Sequence, residues 1–303
     1  MKAALGAAAG LSTFTLTLNS AHAGARGVSS PIAPTPMDEH LTLLTGAGGN
    51  VVAVRGAQGA LLVDSGSAER SGELLQAVSK ATASRRVQIL FNTHWHPEQT
   101  GSNQRLGKDG TRIIAHENTR LWLGYENAVP GQARSYGPLP LQARPNETVY
   151  GAGKLTFDER PVEYGYLLQA HTDGDIYVFF PESNVLVTGG AVAADGWPMI
   201  DYQTGGWIGG LVDGLKTLIA RCDAQTRIVP ANGPILTRAD LEAQRDMYAT
   251  IYERLQKLLR KGMAPQEVIE AAPTREFDAK WGDPTLFVTL AFKSLWGHLA
   301  PDA

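Results

Sequence analysis

The chain has 303 residues, 43% of them hydrophobic and 19% charged, with a formal net charge of -3 at neutral pH. That is the composition of a folded globular protein with enough core for one large domain or two small ones, and it excludes a disordered chain. The near-neutral balance gives no electrostatic reason to expect nucleic acid as a partner and leaves small, weakly charged ligands open.

The first segment is expected to be an export signal. "MK" is followed by an apolar, Ala-rich stretch from Ala3 to about Leu18, then by "NSAHA", an Ala-x-Ala cleavage site after Ala23. The apolar stretch is short for a membrane span, so no span is expected and the mature chain is placed in the periplasm or outside the cell. Residues 1–23 are thus assigned to the signal, 24–40 to a linker containing "GARGVSSPIAPTP", and 41–303 to a single folded domain. Cys222 is the only cysteine, cannot form an intramolecular disulfide, and is expected to be a buried small residue.

From residue 41, short apolar runs alternate with helical patterns. "LTLLT", "NVVAVRG" and "GALLVDSG" predict strands between Gly-rich turns, and "SAERSGELLQAVSKA" predicts a helix through Leu74, Leu75 and Val78. "RVQILFNTH" and "TRIIAH" are the next expected strands, and "ENTRLWLGYE" the next helix. The Pro- and Gly-rich stretch 129–147 has no periodicity and is expected to be a long loop or lid. A second round starts near Val149, with "KLTFDER", "GYLLQAH", "DIYVFF" and "NVLVTGG" as strands, "WIGGLVDGLKTLIARC" as a helix and "TRIVP" as the last strand. Thr237 and Asp240 form a capping box opening the strongest helix, whose stripe is Leu241, Tyr248, Ile251, Leu255 and Leu258. Two more helices are expected to open at Pro265 and Pro284.

The residues with chemical potential cluster at strand ends. In "FNTHWHPEQTGSN", His94 and His96 stand at i and i+2 as the chain leaves a strand, so extended backbone points both rings to one side and lets them share a metal. His171, in "LLQAHTDGD", lies at a second strand-to-turn junction. Three histidines around zinc leave a fourth position for water, the arrangement of a catalytic site rather than a closed structural one.

From about residue 41 to 301 the chain resembles the metallo-beta-lactamase-fold hydrolases. The family's strand-end Asp-x-Gly is matched by Asp64, Ser65 and Gly66. Its H-x-H-x-D-H motif falls on His94 to Gln99, its third histidine on His171, its bridging aspartate on Gly190, and its late G-H-G-P loop on "ANGP" from Ala231 to Pro234. The resemblance implies an α/β four-layer αβ/βα sandwich of two mixed β-sheets flanked by helices, with the metal at one edge.

In the family the first metal site uses three histidines, and His94, His96 and His171 all remain. The second uses the positions held here by Glu98, Gln99, Gly190 and Asn232, where glycine offers no ligand and amides bind zinc poorly. The expected form is therefore a mononuclear site with one zinc, in which Glu98, the one carboxylate left in the first motif, orients or deprotonates water as general base. The expected function is exported zinc-dependent hydrolysis of an ester, thioester or amide, lactams included, in a small-molecule substrate. The competing reading is an inactive member of the fold that binds a small molecule or a protein. A di-iron oxygen-reducing relative is disfavoured by Gly190, and a second metal gained on restoring Gly190→Asp, Gln99→His and Asn232→His together would mark where the missing site lay.

Other polar residues receive structural roles. Asp64 is expected behind a ligand or in a turn, Asp173 and Asp175 to be solvated or turn-capping, and His116 to cap or pack. Trp95, Trp197 and Trp207 are equally compatible with an apolar substrate wall and with core.

Overall fold

The structure is a computed structural model and describes residues 31–299. The export signal expected over 1–23, and the linker up to residue 30, lie outside the described residues. Within them no helix is long and apolar enough to cross a membrane.

Two sheets are built from the predicted apolar runs. The first orders its strands Ala33–Pro36, Leu41–Thr45, Val51–Gly56, Gly59–Val63, Val87–Phe91, Arg112–His116 and Glu147–Val149. Its first four pair antiparallel and its last four parallel. The second orders Gly153–Phe157, Arg160–Tyr166, Ile176–Phe180, Val185–Gly189 and Arg227–Pro230, antiparallel except for the last, parallel pair. Both sheets are mixed, as the sequence predicts.

Alternation along the strands sorts side chains into layers, because successive residues face opposite sides of a sheet. Leu61 and Val63 join Phe91, Ile114, Val178, Val185 and Val187 between the sheets. Ala60 and Leu62 point the other way and meet Leu74 and Val78 of the helix Ser71–Thr82. On the outer face of the second sheet, Tyr177, Leu186 and Ile228 pack on the helices Ile208–Ile219, Arg238–Arg260 and Thr285–Leu299. Central strands buried on both faces read as continuous apolar runs, as in "GALLV", all of it buried. The result is the expected four-layer sandwich.

Several boundaries differ from the sequence reading. Ala33–Pro36, inside the stretch assigned to a linker, is an exposed edge strand. "GYLLQAH" is not a strand: the strand is Arg160–Tyr166, and Leu167 to His171 form a turn. Polar groups stop the ladder there, since Leu167 N donates to Asp175 O at 2.9 Å and the Asp175 carboxylate takes the His171 and Thr172 amides at 2.6 and 2.8 Å. The 129–147 stretch is a loop with some order, because Ser135–Tyr136 pairs with Asn127–Ala128 and Leu141–Ala143 makes one 3-10 turn. Asp278–Trp281 is a short helix the periodicity did not show.

Strand direction places the site. Gly59–Val63 and Val87–Phe91 run parallel, and so do Val185–Gly189 and Arg227–Pro230. Arg160–Tyr166, two antiparallel steps from Val185–Gly189, shares the direction of that pair. Loops at the C-terminal end of these strands are tied across the sandwich, by Ile176 N to Thr93 O at 2.9 Å and by Asn50 N, in the loop after Leu41–Thr45, to Ala231 O at 2.7 Å. Fold-switching loops at the carboxyl ends of strands are where ligands bind in such sheets.

The helix Arg238–Arg260 gives a stability test. Its capping box is formed, with Asp240 Oδ2 accepting from Thr237 N at 2.8 Å, and Ile251 is fully buried. Ile251→Ala is expected to cost about 2–5 kcal/mol and Thr237→Ala about 1 kcal/mol, read as lowered urea midpoints at unchanged slope. Equal losses would contradict this division between packing and capping.

Candidate metal centre

His94 and His96 leave the end of Val87–Phe91 two residues apart, and His171 comes from the turn after Arg160–Tyr166. All three are buried, at 1%, 4% and 4% exposure. One nitrogen from each lies within 4.8 Å of the other two, and among the described residues this is the one such cluster of metal-ligating side chains. The rings stand edge to face, with centroids 4.7–4.8 Å apart.

Hydrogen bonds on the far side of each ring decide which nitrogen faces inward. His171 Nδ1 lies 2.8 Å from the Met199 carbonyl, which can only accept, so Nδ1 carries the proton and Nε2 presents its lone pair. His96 Nε2 donates to Asp201 Oδ2 at 3.0 Å, leaving Nδ1 as the lone pair. Thr93 Oγ1 donates to Asp64 Oδ2 at 2.8 Å and accepts from His94 Nδ1 at 3.1 Å, leaving His94 Nε2 inward. His96 Nδ1 and His171 Nε2 face each other at 3.2 Å. Two lone pairs at that distance, with a third close by and no proton to share, repel each other unless a cation lies among them. The donor set therefore fits a metal ion held by three neutral imidazoles.

Electrostatics agree with neutral rings. Burial, followed by the neighbouring imidazoles, holds His94 and His96 well below the usual histidine range, and burial lowers His171. Burial pushes the Asp64 carboxyl up to about 8 against the pull of the Thr93 donors. Its ionised form, the one that accepts from Thr93, is the form a nearby cation favours. Burial also raises Asp201, which Thr204 opposes by donating its hydroxyl at 2.7 Å.

The positions of the family's second site, Glu98, Gln99, Gly190 and Asn232, line the cavity beside the histidines with one carboxylate among them. A Cβ built on Gly190 would stand 2.3 Å from His171 Cδ2 and 2.7 Å from its Nε2, so the imidazole fills the space from which a carboxylate would extend. Gly190→Asp therefore does not by itself rebuild a second metal position, because the new side chain collides with a first-site ring. Gln99 is buried, and its backbone carbonyl takes Ser65 N at 2.9 Å and Asn92 Nδ2 at 3.0 Å. The Asn232 amide nitrogen faces the Ala231 and Gly48 carbonyls at 3.3 and 3.2 Å. Glu98 is half-buried and lines, with the histidines, a cavity of about 350 Å³. Gln132, from the 129–147 loop, lines it too and donates to Glu98 Oε1 at 3.4 Å, so the loop reaches the site.

The remaining sequence candidates separate clearly. Asp64 stands behind His94 through Thr93, with φ +63° at its turn. Asp175 is not solvated: it is buried, burial pushes it up to about 7, and it clamps the His171 turn through three donors. Asp173 is half-buried and takes Trp122 Nε1 at 2.7 Å. His116 caps a helix, accepting from Asn118 N at 3.2 Å, and stacks on Tyr166. Trp95 is buried beneath a second cavity, Trp197 lines the three-histidine cavity, and Trp207 stacks on His298 away from both. Cys222 is buried, which pushes its thiol up to about 11. Sequence reasoning missed Asp201 and Met199, the partners of His96 and His171. They lie far along the chain in a loop without a motif, and only the sheet crossover brings them near.

Comparison with known proteins agrees with this geometry. The profile of the metallo-beta-lactamase superfamily matches residues 44–252. Similar solved structures include a metallo-beta-lactamase from Pontibacter korlensis, with a TM-score of 0.58 and 17% identity over 72% of this chain and 99% of that one. The DIM-1 metallo-beta-lactamase gives 0.57 and 19% over 72% and 97%. The stereoselective inverting sec-alkylsulfatase Pisa1 from Pseudomonas sp. gives 0.64 and 15% over 90% of this chain but 51% of that one, so the chain spans about half the sulfatase. At these identities the likeness is one of fold.

Two substitutions test the centre by elemental analysis of the purified protein. Asp201→Ala is expected to weaken divalent-metal affinity about 10–100-fold, by removing the acceptor that orients His96. Gly190→Asp is expected to reduce bound metal rather than add a second ion, and a gain to two ions per chain would refute the collision with His171.

Proposed function

Because the chain belongs to the metallo-beta-lactamase superfamily, we propose that it is an exported zinc-dependent hydrolase acting on an ester, thioester or amide bond, lactams included, of a small molecule through one zinc ion. The observation that carries this reading is the set of three inward lone pairs, on His94 Nε2, His96 Nδ1 and His171 Nε2, each fixed by an acceptor behind its ring. Zinc held by these nitrogens supplies Lewis acidity toward a carbonyl oxygen and a water that ionises near neutral pH.

The protein's own groups do the rest. Glu98 is the carboxylate in the cavity wall next to the histidines, and as general base it takes the proton of the attacking water. Gln132 holds Glu98 Oε1 from the loop side and is itself held by the Tyr136 hydroxyl, which restricts where the carboxylate can turn. Val129, Trp197 and Met199 give the cavity apolar walls. With Gly190 closed by His171, and neutral amides at Gln99 and Asn232, the second-site chemistry of the family has no set of ligands here.

Glu98→Gln, which keeps shape and removes the base, is expected to lower kcat about 10²–10⁴-fold on any ester, thioester or lactam that the zinc-loaded chain cleaves, with zinc content unchanged. Full activity in this variant would remove Glu98 from the mechanism. A parent protein that holds no zinc would instead favour a binding module on the same fold.

A further inference from the structure

A second cavity, of about 360 Å³, adjoins the three-histidine cavity, and Glu98 lines both. The boundary between them is shared a second time. Val129, which lines the first cavity, packs with Trp95 and Leu123, and these two line the second. Trp122, Tyr136 and Leu139 rest on the same cluster and complete an aromatic and aliphatic wall. Tyr125, also in that wall, is 60% exposed, a large apolar surface left open.

The wall is pre-formed rather than loose. The pairing of Asn127–Ala128 with Ser135–Tyr136 presents Tyr136. Gly137, at φ +84°, lets the returning chain pass so close that a Cβ there would meet the Tyr125 carbonyl at 2.5 Å. The wall's one basic group is already neutralised: Arg134 donates to Glu69 at 3.2 Å and lies 4.5 Å over the Tyr136 ring. Among the described lining residues no unpaired positive charge remains to receive an anionic arm, while the apolar lining favours an uncharged one.

We propose that this second cavity is a specificity subsite for an uncharged aromatic or bulky apolar arm of the substrate, with the scissile bond set at Glu98 beside the three histidines. The proposal rests on the hydrolase reading and narrows it to substrates that carry such an arm next to the bond cleaved. An arm seated against Trp95, Trp122 and Tyr136 fixes the reacting group at the shared Glu98 wall, which turns remote binding into orientation at the reacting bond.

The test uses the zinc-loaded full chain with phenylacetamide and acetamide as binding probes in titration calorimetry, and methyl phenylacetate and methyl acetate as substrates. Ala68 lines the cavity and is exposed, so Ala68→Trp fills the subsite without disturbing the core, and Leu139→Asp makes its wall polar. The parent is expected to bind phenylacetamide at least about tenfold more tightly than acetamide, and to cleave the phenylacetyl ester with a similar advantage in kcat/KM. Ala68→Trp should abolish both preferences while leaving zinc content and acetate ester turnover unchanged. Equal binding of the two amides by the parent, or a preference that survives both substitutions, would overturn the subsite. If neither ester is cleaved yet the amide preference is present and lost in Ala68→Trp, the subsite stands and the hydrolase reading fails. Cleavage of both esters at equal efficiency with no amide preference would overturn the subsite and leave the hydrolase reading standing.

Discussion

The arrangement around the site depends on one constraint: three buried imidazoles must turn unprotonated nitrogens toward the same point. Nothing within the triad satisfies those lone pairs, so every ring is held from behind. His171 is held by the Met199 carbonyl, His96 by Asp201, and His94 by the Thr93 hydroxyl that Asp64 accepts from. Asp201 in turn is held by Thr204, whose hydroxyl also accepts from Trp95 Nε1 at 3.1 Å. These outer bonds fix the tautomers before any ligand arrives, and a cation then relieves the repulsion they create.

The fold makes the constraint tolerable by supplying polar partners where loops from two sheets meet. Behind the ligands lie strands buried on both faces, and the 189–207 loop carries Met199, Asp201 and Thr204 back across the His171 turn, with Asp201 N on His171 O at 2.9 Å. The same close packing explains the loss of a second site. Gly190 has no side chain, and the His171 ring occupies the room a carboxylate needs. Divergence at that position is a repacking, not only a missing ligand.

Much of this is legible in the sequence, for identifiable reasons. The strands follow from apolar runs such as "GALLV" and "IYVFF", where burial leaves a strong local signal, and their arrangement into two mixed sheets is what the family resemblance implies. His94 and His96 are legible because i, i+2 spacing at a strand end fixes direction without tertiary knowledge, and His171 because the family resemblance matches it to the third histidine. Asp201 is not, since its role exists only through a contact 105 residues away in the chain. The "GYLLQAH" reading runs past the strand's end at Tyr166 because apolar content alone cannot see Asp175, which takes three donors from the His171 turn. The edge strand Ala33–Pro36 is hidden by its prolines and by having no buried residue, the two features that let a strand sit at an edge. Gly190 is legible as a lost ligand, but its occupation by His171 is a matter of three-dimensional space.

The central claim is that the chain holds one metal on three imidazoles and has no room for a second. X-ray absorption at the zinc edge of the purified, zinc-loaded chain tests it most directly. The account predicts three imidazole nitrogens at about 2.0–2.1 Å with a light atom completing the shell, and no metal scatterer beyond. A second metal at about 3.5–4 Å, or a spectrum lacking the imidazole signature, would contradict it.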